Sequence, residues 1–501
     1  MKITVTSEDI AKLPIDAVIV NLFEGVKRPG GATGAVDKAL GRAIAKLIAQ
    51  GEITGKNGET TLIHTLGSIK PRRVLVVGLG NQKELTLDTI RSVTGVACRY
   101  LRKLGAKRAA TIVHGAGAGG VSPEEAAQAI TEGSILGLYT FQRHMTKNRD
   151  EGELEELQIV EMDKGKIPAL KRGVSRGRVI ADAVILARDM VNEPANFMTP
   201  SDIADIAKKV AKENNVDIEV LEKRDMEKLG MGALLGVAQG SNQPPKFIIL
   251  HYRGDKGNDA QNIGIVGKGV TFDSGGISLK PSEGMAEMKG DMAGGASVIA
   301  TLKAISQLKP KVNVTGLIPT SENLPSGSAQ KPGDVVKALN GKTIEVDNTD
   351  AEGRLLLADA LSYGRKLGLS AMIDIATLTG AIRVALGTHC TGAFTNNQKM
   401  VDQLEKSGEK TGERIWQMPM FEEYKEQNKS DVADIKNVGG RLGGAITAAQ
   451  FLAEFSEDTP WVHLDIAGTS MTDKEKGYLV KGATGTPVRV LVDFILSQAQ
   501  S

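Results

Sequence analysis

Four acidic residues in the second half of the chain follow apolar runs and lie beside glycine-rich segments, with three basic side chains nearby. These seven residues are Lys268, Asp273, Lys280, Asp291, Asp350, Glu352 and Arg354. Gathered in one pocket, four carboxylates would repel one another strongly unless cations compensated them. Two divalent ions provide that compensation and lower the pKa of a bound water, which makes it a nucleophile at neutral pH. The residue types therefore predict a metal-dependent hydrolase.

The kinds of ligand available indicate which metals are suitable. The chain has six histidines, and none of them forms an HExxH motif or another paired spacing. Oxygen-rich ligation suits Mn²⁺ or Mg²⁺, and Zn²⁺ remains open. Asp350 and Glu352 are two residues apart, so in an extended loop both side chains would face the same side and could reach the same two metal ions.

Each of these residues also has a simpler interpretation. An acid such as Asp291 just before a helix is often a solvated N-cap, and Asp-Ala-Glu-Gly at 350–353 can be a plain turn. Lys280, before a proline, can be a surface residue, and His463, inside an apolar strand, fits a hydrogen-bonded core position better than a ligand. The convergence of all seven residues on strand ends within about ninety positions favours a site over these separate interpretations.

Short apolar strands precede most of the candidate residues. In open α/β sheets, ligands bind where the loops at the carboxyl ends of the strands converge. We expect Asp291 to open a helix, and a further helix to begin near Arg354. The predicted strands are Ile218–Leu221, Lys246–Tyr252, Ile263–Val266, Asn313–Ile318, Thr343–Val346, Met372–Ile375 and Trp461–Asp465.

The composition limits the class of protein. The chain has 501 residues, of which 41% are hydrophobic and 24% charged, which predicts a globular protein of two or three domains. The 62 basic and 60 acidic residues nearly cancel, so nucleic acid is not expected as the main partner. Two distant cysteines favour a reducing compartment, and the cytoplasm is the expected location. No run of 18 apolar residues occurs, so we expect no membrane span.

Alternating strand and helix patterns predict two α/β domains, the C-terminal catalytic one with a mostly parallel, helix-covered sheet. Strands are expected at Ala17–Val20 and Val74–Val77, and a helix at Leu87–Leu104. The charge-rich segment Lys147–Lys166 reads as a linker or edge element, and a helix from Val174 to Met190 follows it. Two prolines, at 194 and 200, would stop that helix, and another would begin after Ser201. The predicted division is 1–165, a connecting helix at 166–190, and 191–501.

Several motifs resemble those of the leucyl aminopeptidases, also called cytosol aminopeptidases. The octapeptide NTDAEGRL at 348–355 is similar to the signature of that family. Further similar segments are VNEPAN at 191–196, VGKGVTFDSGG at 266–276, SLKP at 278–281, MKGDMAGGA at 288–296 and TLTGA at 377–381.

The resemblance implies two divalent ions per subunit, Mn²⁺ or Zn²⁺. It implies that Asp273, Asp350 and Glu352 hold one ion, and that Lys268 and Asp291 hold the other together with the bridging carboxylates of Asp273 and Glu352. A lysine ligand must be neutral, and burial beside a metal lowers its pKa in the direction required.

The resemblance also implies the reaction, which is release of N-terminal residues, leucine preferred, from peptides with a free amine. A metal-bridged hydroxide would attack the carbonyl, Lys280 would stabilise the oxyanion, and Arg354 would hold a bicarbonate that acts as base. A homohexamer is implied as well. The residues implied to bind the substrate are Met288, Thr377, Leu378, Gly380 and Ala467.

Two other functions stay open at this point. Carboxylate-rich two-metal sites also serve phosphoester hydrolysis, although the combination of NTDAEGRL with Lys280 disfavours that chemistry. A DNA-binding role, known for some relatives, is disfavoured as the main function by the near-neutral charge.

Overall fold

A computed structural model describes residues 1–147, 152–258 and 261–499 of the chain. The described chain separates into two compact units. The first comprises Met1–Asp182 and Asp473–Lys481, and the second comprises Ala183–Thr472 and Gly482–Ser501 as far as it is described. The predicted division placed residues 473–481 with the catalytic part of the chain. In the first unit, the hydroxyl of Tyr478 donates a hydrogen bond of 2.9 Å to Asp88.

The first unit is built on a six-stranded sheet with the order β1-β6-β5-β2-β4-β3, in which only β3 is antiparallel to its neighbour among the described strands. Its elements are β1 Lys2–Thr6, β2 Ala17–Leu22, α1 Gly31–Ala39, α2 Ala43–Ala49, β3 Thr60–His64, β4 Arg73–Gly78, α3 Leu87–Lys103, β5 Arg108–Ile112, α4 Pro123–Gly137 and β6 Glu156–Val160. Helix α5, Ile167–Asn192, contains the division between the two units.

Part of the charge-rich segment, Glu156–Val160, forms strand β6 and is neither the linker nor the edge element that its composition predicted. Residues 148–151 lie outside the described part of the chain, but β6 pairs with both β1 and β5 inside the sheet. Leu157 and Ile159, on either side of the polar Gln158, are fully buried. The spacing of these apolar residues therefore indicates a strand, and the charged residues on either side made that pattern hard to recognise in the sequence.

The second unit is built on a nine-stranded, mostly parallel sheet with the order β16-β15-β18-β14-β9-β11-β8-β7, and β10 also pairs with β11. The elements up to the middle of this unit are α6 Pro200–Asn214, β7 Asp217–Leu221, α7 Lys223–Leu229, α8 Gly232–Ala238, β8 Lys246–Arg253, β9 Asn262–Gly267, β10 Gly269–Asp273, α9 Ala293–Leu308, β11 Asn313–Asn323, β12 Asp334–Lys337 and β13 Thr343–Val346. The remaining elements are α10 Gly353–Lys366, β14 Ala371–Ala376, α11 Gly380–Leu386, β15 Thr391–Thr395, α12 Gln398–Thr411, β16 Ile415–Gln417, β17 Ile435–Lys436, α13 Gly444–Ser456, β18 Trp461–Asp465, β19 Met471–Thr472, β20 Gly482–Ala483 and α14 Val488–Gln498.

The central strands are buried because helices cover both faces of the sheet. Residues Met372–Ala376 of β14 and Gly264–Gly267 of β9 are all buried, as expected for parallel strands in an α/β sheet. The predicted fold class, two α/β domains with a mostly parallel sheet in the catalytic one, is confirmed. No helix in the described ranges is both long and apolar enough to cross a membrane.

Three local predictions differ from the structure. Strand β13 belongs to a separate three-stranded sheet with β12 and β17, so the loop that follows it does not leave the main sheet. Asp291 follows a 3-10 helix, Met285–Gly290, and does not open α9, which begins at Ala293. Helix α6 begins at Pro200 with Thr199 as its N-cap, because proline is well tolerated at the first helical position.

Candidate metal centre and substrate cavity

The candidate residues meet at the carboxyl edge of the main sheet. Lys268 directly follows β9, Asp273 ends β10, and Thr377 directly follows β14. Asp350 and Glu352 lie in the loop that leads into α10. The sheet edge predicted from sequence is therefore where the second unit brings these side chains together.

The site requires residues without side chains at two positions where its segments pack closely. A Cβ atom on Gly353 would lie 2.7 Å from Nζ of Lys268, and one on Gly294 would lie 2.1 Å from the carbonyl oxygen of Ile375. A side chain at either position would displace its neighbour. These two glycines allow the starts of α10 and α9 to approach the strand ends that carry the candidate ligands.

Lys268 is the buried cation of the cluster. Its ammonium lies 2.8 Å from Asp291 and 2.7 Å from Glu352, and it donates to the carbonyl of Thr377 over 3.1 Å. Burial alone would lower the pKa of Lys268, but the charges of Asp291, Glu352 and Asp273 outweigh it and raise this pKa. In the absence of metal the amine is therefore a protonated counter-ion, and a metal would have to displace its proton.

Lys280 is the second cation and is only partly buried. Its ammonium lies 2.7 Å from Asp273 and also forms an ion pair with Asp350. Burial lowers its pKa, and the charges of Asp273 and Glu352 raise it further than burial lowers it. Lys280 therefore stays charged at the rim of the cluster, where it can stabilise an anion.

The carboxylates fit a divalent cation. One ligand oxygen from each of Asp273, Asp350 and Glu352 lies within 4.8 Å of the others. Three buried oxygens, Asp291 Oδ2, Asp350 Oδ1 and Glu352 Oε1, accept no hydrogen bond of normal geometry from a described residue, although a lysine is within ion-pair distance of each. Burial raises the pKa of Asp273, Asp291 and Asp350. Four carboxylates facing two lysines leave negative charge that metal ions would compensate.

The loop carrying Asp350 and Glu352 is not extended. The prediction that an extended backbone brings their side chains together was therefore wrong. Glu352 has helical backbone angles, with φ at −75° and ψ at −37°, and serves as the N-cap residue of α10. The amide of Asp350 donates to the side chain of Asn348 over 2.8 Å. A turn that leads into a helix therefore points both carboxylates to one place.

Two asparagines missed by the sequence reasoning hold this loop. Asn323, the last residue of β11, donates to Asp273 over 2.8 Å and to the carbonyl of Thr349 over 3.0 Å. Asn437 donates to the carbonyl of Asn348 over 2.7 Å and accepts from the amide of Asp347 over 2.9 Å. The position of Asn323 at a strand end could have indicated its role, whereas no local signal marks Asn437.

Arg354 is buried beneath the cluster. Its guanidinium donates to the carbonyl of Asn437 over 2.6 Å, and its Nε has no partner among the described residues. Burial lowers the pKa of Arg354 to about 10, although the charges of Glu352 and Asp465 oppose that shift. Arg354 is not among the described residues that line the cavity beside the cluster.

A cavity of about 450 Å³ opens beside the carboxylates. Its lining includes six of the seven candidate chemical residues and all five of the implied substrate-binding residues. The five are Met288, Thr377, Leu378, Gly380 and Ala467. Residues that the sequence reasoning did not name also line it, among them Met285, Arg383, Gly468 and Met471.

Asp465 connects the two loops that form one wall of this cavity. It is buried at the end of β18, and its carboxylate accepts hydrogen bonds from the amides of Leu378 and Ala467, both over 3.1 Å. The hydroxyl of Thr379 donates to the same carboxylate over 2.7 Å. One buried acid therefore fixes the separation of both loops.

The interpretation of His463 as a hydrogen-bonded core residue is confirmed. The residue is fully buried in β18, and its Nδ1 lies 2.6 Å from Asp374. The indole of Trp461 donates to the other oxygen of Asp374 over 2.6 Å.

Models of known protein families match most of the chain. The catalytic-domain model of the cytosol aminopeptidase family matches residues 185–492, and its N-terminal-domain model matches residues 19–148. The chain belongs to the cytosol aminopeptidase family. The aminopeptidase is therefore a metal-dependent hydrolase of peptide bonds, as its motifs predicted.

Individual proteins agree with the family assignment over nearly the whole chain. The aminopeptidase is 45% identical to a probable cytosol aminopeptidase of Alkaliphilus metalliredigens, with 99% of each chain covered. It is 48% identical to a probable cytosol aminopeptidase of Solibacter usitatus, with 98% of each covered.

Solved structures show the same fold. A mutant of tomato leucine aminopeptidase superposes with a TM-score of 0.89 at 34% identity, covering 99% of this chain and 96% of that one. The bottromycin maturation enzyme BotP in complex with Mn superposes with a TM-score of 0.85 at 33% identity, covering 97% and 100%.

Proposed function

We propose that this aminopeptidase releases N-terminal amino acids, leucine preferred over a broad range, from peptides with a free amine. The observation that carries the proposal is the group of carboxylate oxygens of Asp273, Asp350 and Glu352, within 4.8 Å of one another beside the cavity. An acidic cluster that two lysines compensate only in part, beside a cavity with apolar and polar lining residues, suits a metal that anchors a peptide amine.

The proposed site holds two divalent ions, manganese or zinc. Asp273, Asp350 and Glu352 would hold one ion. Lys268 and Asp291 would hold the other, together with the bridging carboxylates of Asp273 and Glu352. The ions would supply an activated water and polarise the scissile carbonyl. Support comes from the three carboxylate oxygens that accept no hydrogen bond of normal geometry from a described residue, and from the manganese complex of the similar enzyme BotP.

Two basic residues have proposed roles in the reaction. Lys280 would stabilise the oxyanion that develops on the carbonyl, because its partly exposed ammonium faces the cavity beside Asp273 and Asp350. Arg354 would hold a bicarbonate that acts as a general base. Its buried Nε has no described partner, which supports that role. Because Arg354 does not line the cavity, the bicarbonate would have to extend from the cavity towards its guanidinium.

The side-chain pocket would be formed by Met288, Thr377 and Ala467, with backbone contacts from Leu378 and Gly380. Its apolar surfaces favour leucine-like residues, and discrimination between such side chains is modest in hydrophobic pockets. We also propose a cytoplasmic homohexamer, which sedimentation would test as a mass six times the 53.0 kDa of one chain.

The proposal is tested by a metal count on the purified protein, paired with hydrolysis of leucine p-nitroanilide and its N-acetyl derivative. We expect two ions per chain, and turnover only of the free amine. Turnover of p-nitrophenyl phosphate alone would favour a two-metal phosphoesterase instead. Selective DNA binding at physiological salt that survives Glu352→Ala would reveal a separate activity.

A further inference from the structure

Among the described cavity-lining residues of the segments 377–383 and 467–471, only Arg383 carries a charge. It lies on α11, three residues after Gly380, and both residues line the cavity. Residues three apart share one face of a helix, which explains why both do so. Arg383 is exposed, and its side chain forms no hydrogen bond or ion pair with any residue that the structure describes.

The backbone places Arg383 at the proposed side-chain pocket. A Cβ atom on Gly468 would lie 3.8 Å from Cα of Arg383 and 2.2 Å from the carbonyl oxygen of Gly387. Gly468 directly follows Ala467, which we propose lines the pocket for the N-terminal side chain. The start of the Arg383 side chain is therefore next to that pocket wall.

Two acidic residues on another segment also line the cavity. Glu283 and Glu287 lie in the stretch 281–290, and both are exposed. Neither forms an ion pair with Arg383 within the described structure, so the guanidinium remains available to a ligand. A guanidinium presents donors that match a carboxylate in a two-bond geometry.

We propose that Arg383 binds a carboxylate of the substrate and so extends the specificity of the enzyme to acidic peptides. The inference rests on the proposed function. Two sources offer this carboxylate, the side chain of an N-terminal glutamate or aspartate and the C-terminus of a dipeptide. The side chain is the favoured source because Arg383 adjoins Gly468 and the proposed pocket wall.

The first arm of the test measures kcat/KM for glutamyl and glutaminyl p-nitroanilide, which differ only in charge. In Arg383→Gln we expect the Glu-to-Gln ratio to fall by about two- to fivefold, mostly through KM, as for a partly exposed ion pair. Lys366→Gln, which removes an exposed charge outside the cavity lining, is the matched control and should keep the wild-type ratio. In Arg383→Glu, lysyl p-nitroanilide should gain relative to glutamyl p-nitroanilide.

The second arm compares Leu-Gly with Leu-Gly-amide in the same variants. A fall in this ratio, with the Glu-to-Gln ratio unchanged, would support carboxylate binding and assign it to the C-terminus of the peptide. Unchanged ratios in both arms, or equal changes in Lys366→Gln, would overturn the proposal. Failure of the proposed function is distinguishable, because wild-type protein would then not hydrolyse leucine p-nitroanilide.

Discussion

The hydroxyl of Thr377 donates a hydrogen bond of 2.7 Å to Oδ1 of Asp291. This bond joins a loop that lines the cavity to a candidate metal ligand. The same oxygen accepts from Lys268 over 2.8 Å, so the orientation of Asp291 depends on both neighbours.

Thr377→Val should weaken metal binding by about tenfold and lower kcat/KM for leucine p-nitroanilide, because hydrogen bonds to a ligand fix its orientation. Competition with a chelator would give the affinity. Thr301→Val is the matched control, since the buried hydroxyl of Thr301 has no hydrogen-bond partner among the described residues. Equal metal affinity in wild type and Thr377→Val would contradict the role of this bond.

Gly353→Ala should displace Lys268, because the new methyl group would lie within 2.8 Å of three atoms of that side chain. We expect a loss of at least about tenfold in metal affinity, with a smaller change in the melting temperature. Gly327→Ala serves as the control, since a Cβ there meets no atom within 4 Å. A Gly353→Ala protein with wild-type metal content and turnover would show that the close approach is unimportant.

Glu352→Gln should reduce the metal count to one ion per chain or fewer and lower turnover by at least about 100-fold. The fold should persist, because Lys268 keeps its 2.8 Å contact with Asp291. Circular dichroism, a metal count and kcat at saturating metal check the three parts. Glu219→Gln, at an exposed position on β7, controls for the loss of one charge. Retained activity in Glu352→Gln would exclude Glu352 as a ligand.

The stability of the first unit should fall in mild acid because of His114. Burial lowers the pKa of this histidine to about 4, against about 6.5 in the unfolded chain. Between those values the unfolded state binds more protons, so the stability is fully present above pH 6.5 and is lost as the pH falls towards 4. The free energy of unfolding should fall by about 3 kcal/mol between pH 7 and pH 4.

Hydrogen exchange in β5 at pH 7 and pH 5, corrected for the intrinsic rates, would measure this effect. The strand reports on the correct unit because Thr111, within it, lies 2.9 Å from Nε2 of His114. His114→Gln removes the titration and should flatten the pH dependence. An unchanged pH dependence in that variant would assign the effect to other groups.

The sequence predicted the parts of the site that depend on local patterns. Lys268 and Thr377 directly follow apolar strands, so their position at the sheet edge could be inferred. Strand β10 was overlooked because its few residues precede a pair of glycines, which read as a loop. The fold of a short segment depends on its neighbours in space, and here β10 pairs with β11.

The remaining parts depend on contacts between residues far apart in the chain. Asn437 lies 89 residues from Asn348, whose carbonyl it binds. Asp465 lies 87 residues from Leu378, and its carboxylate accepts a hydrogen bond from the amide of Leu378. Neither partner is marked by composition or by a local motif, so only the folded chain reveals them.

The dependence of the NTDAEGRL loop on Asn437 has a consequence for biosynthesis. While the chain emerges from the ribosome, Asp350 and Glu352 are made long before the asparagine that holds their loop. The candidate metal site therefore cannot reach its folded geometry until most of the second unit has been translated.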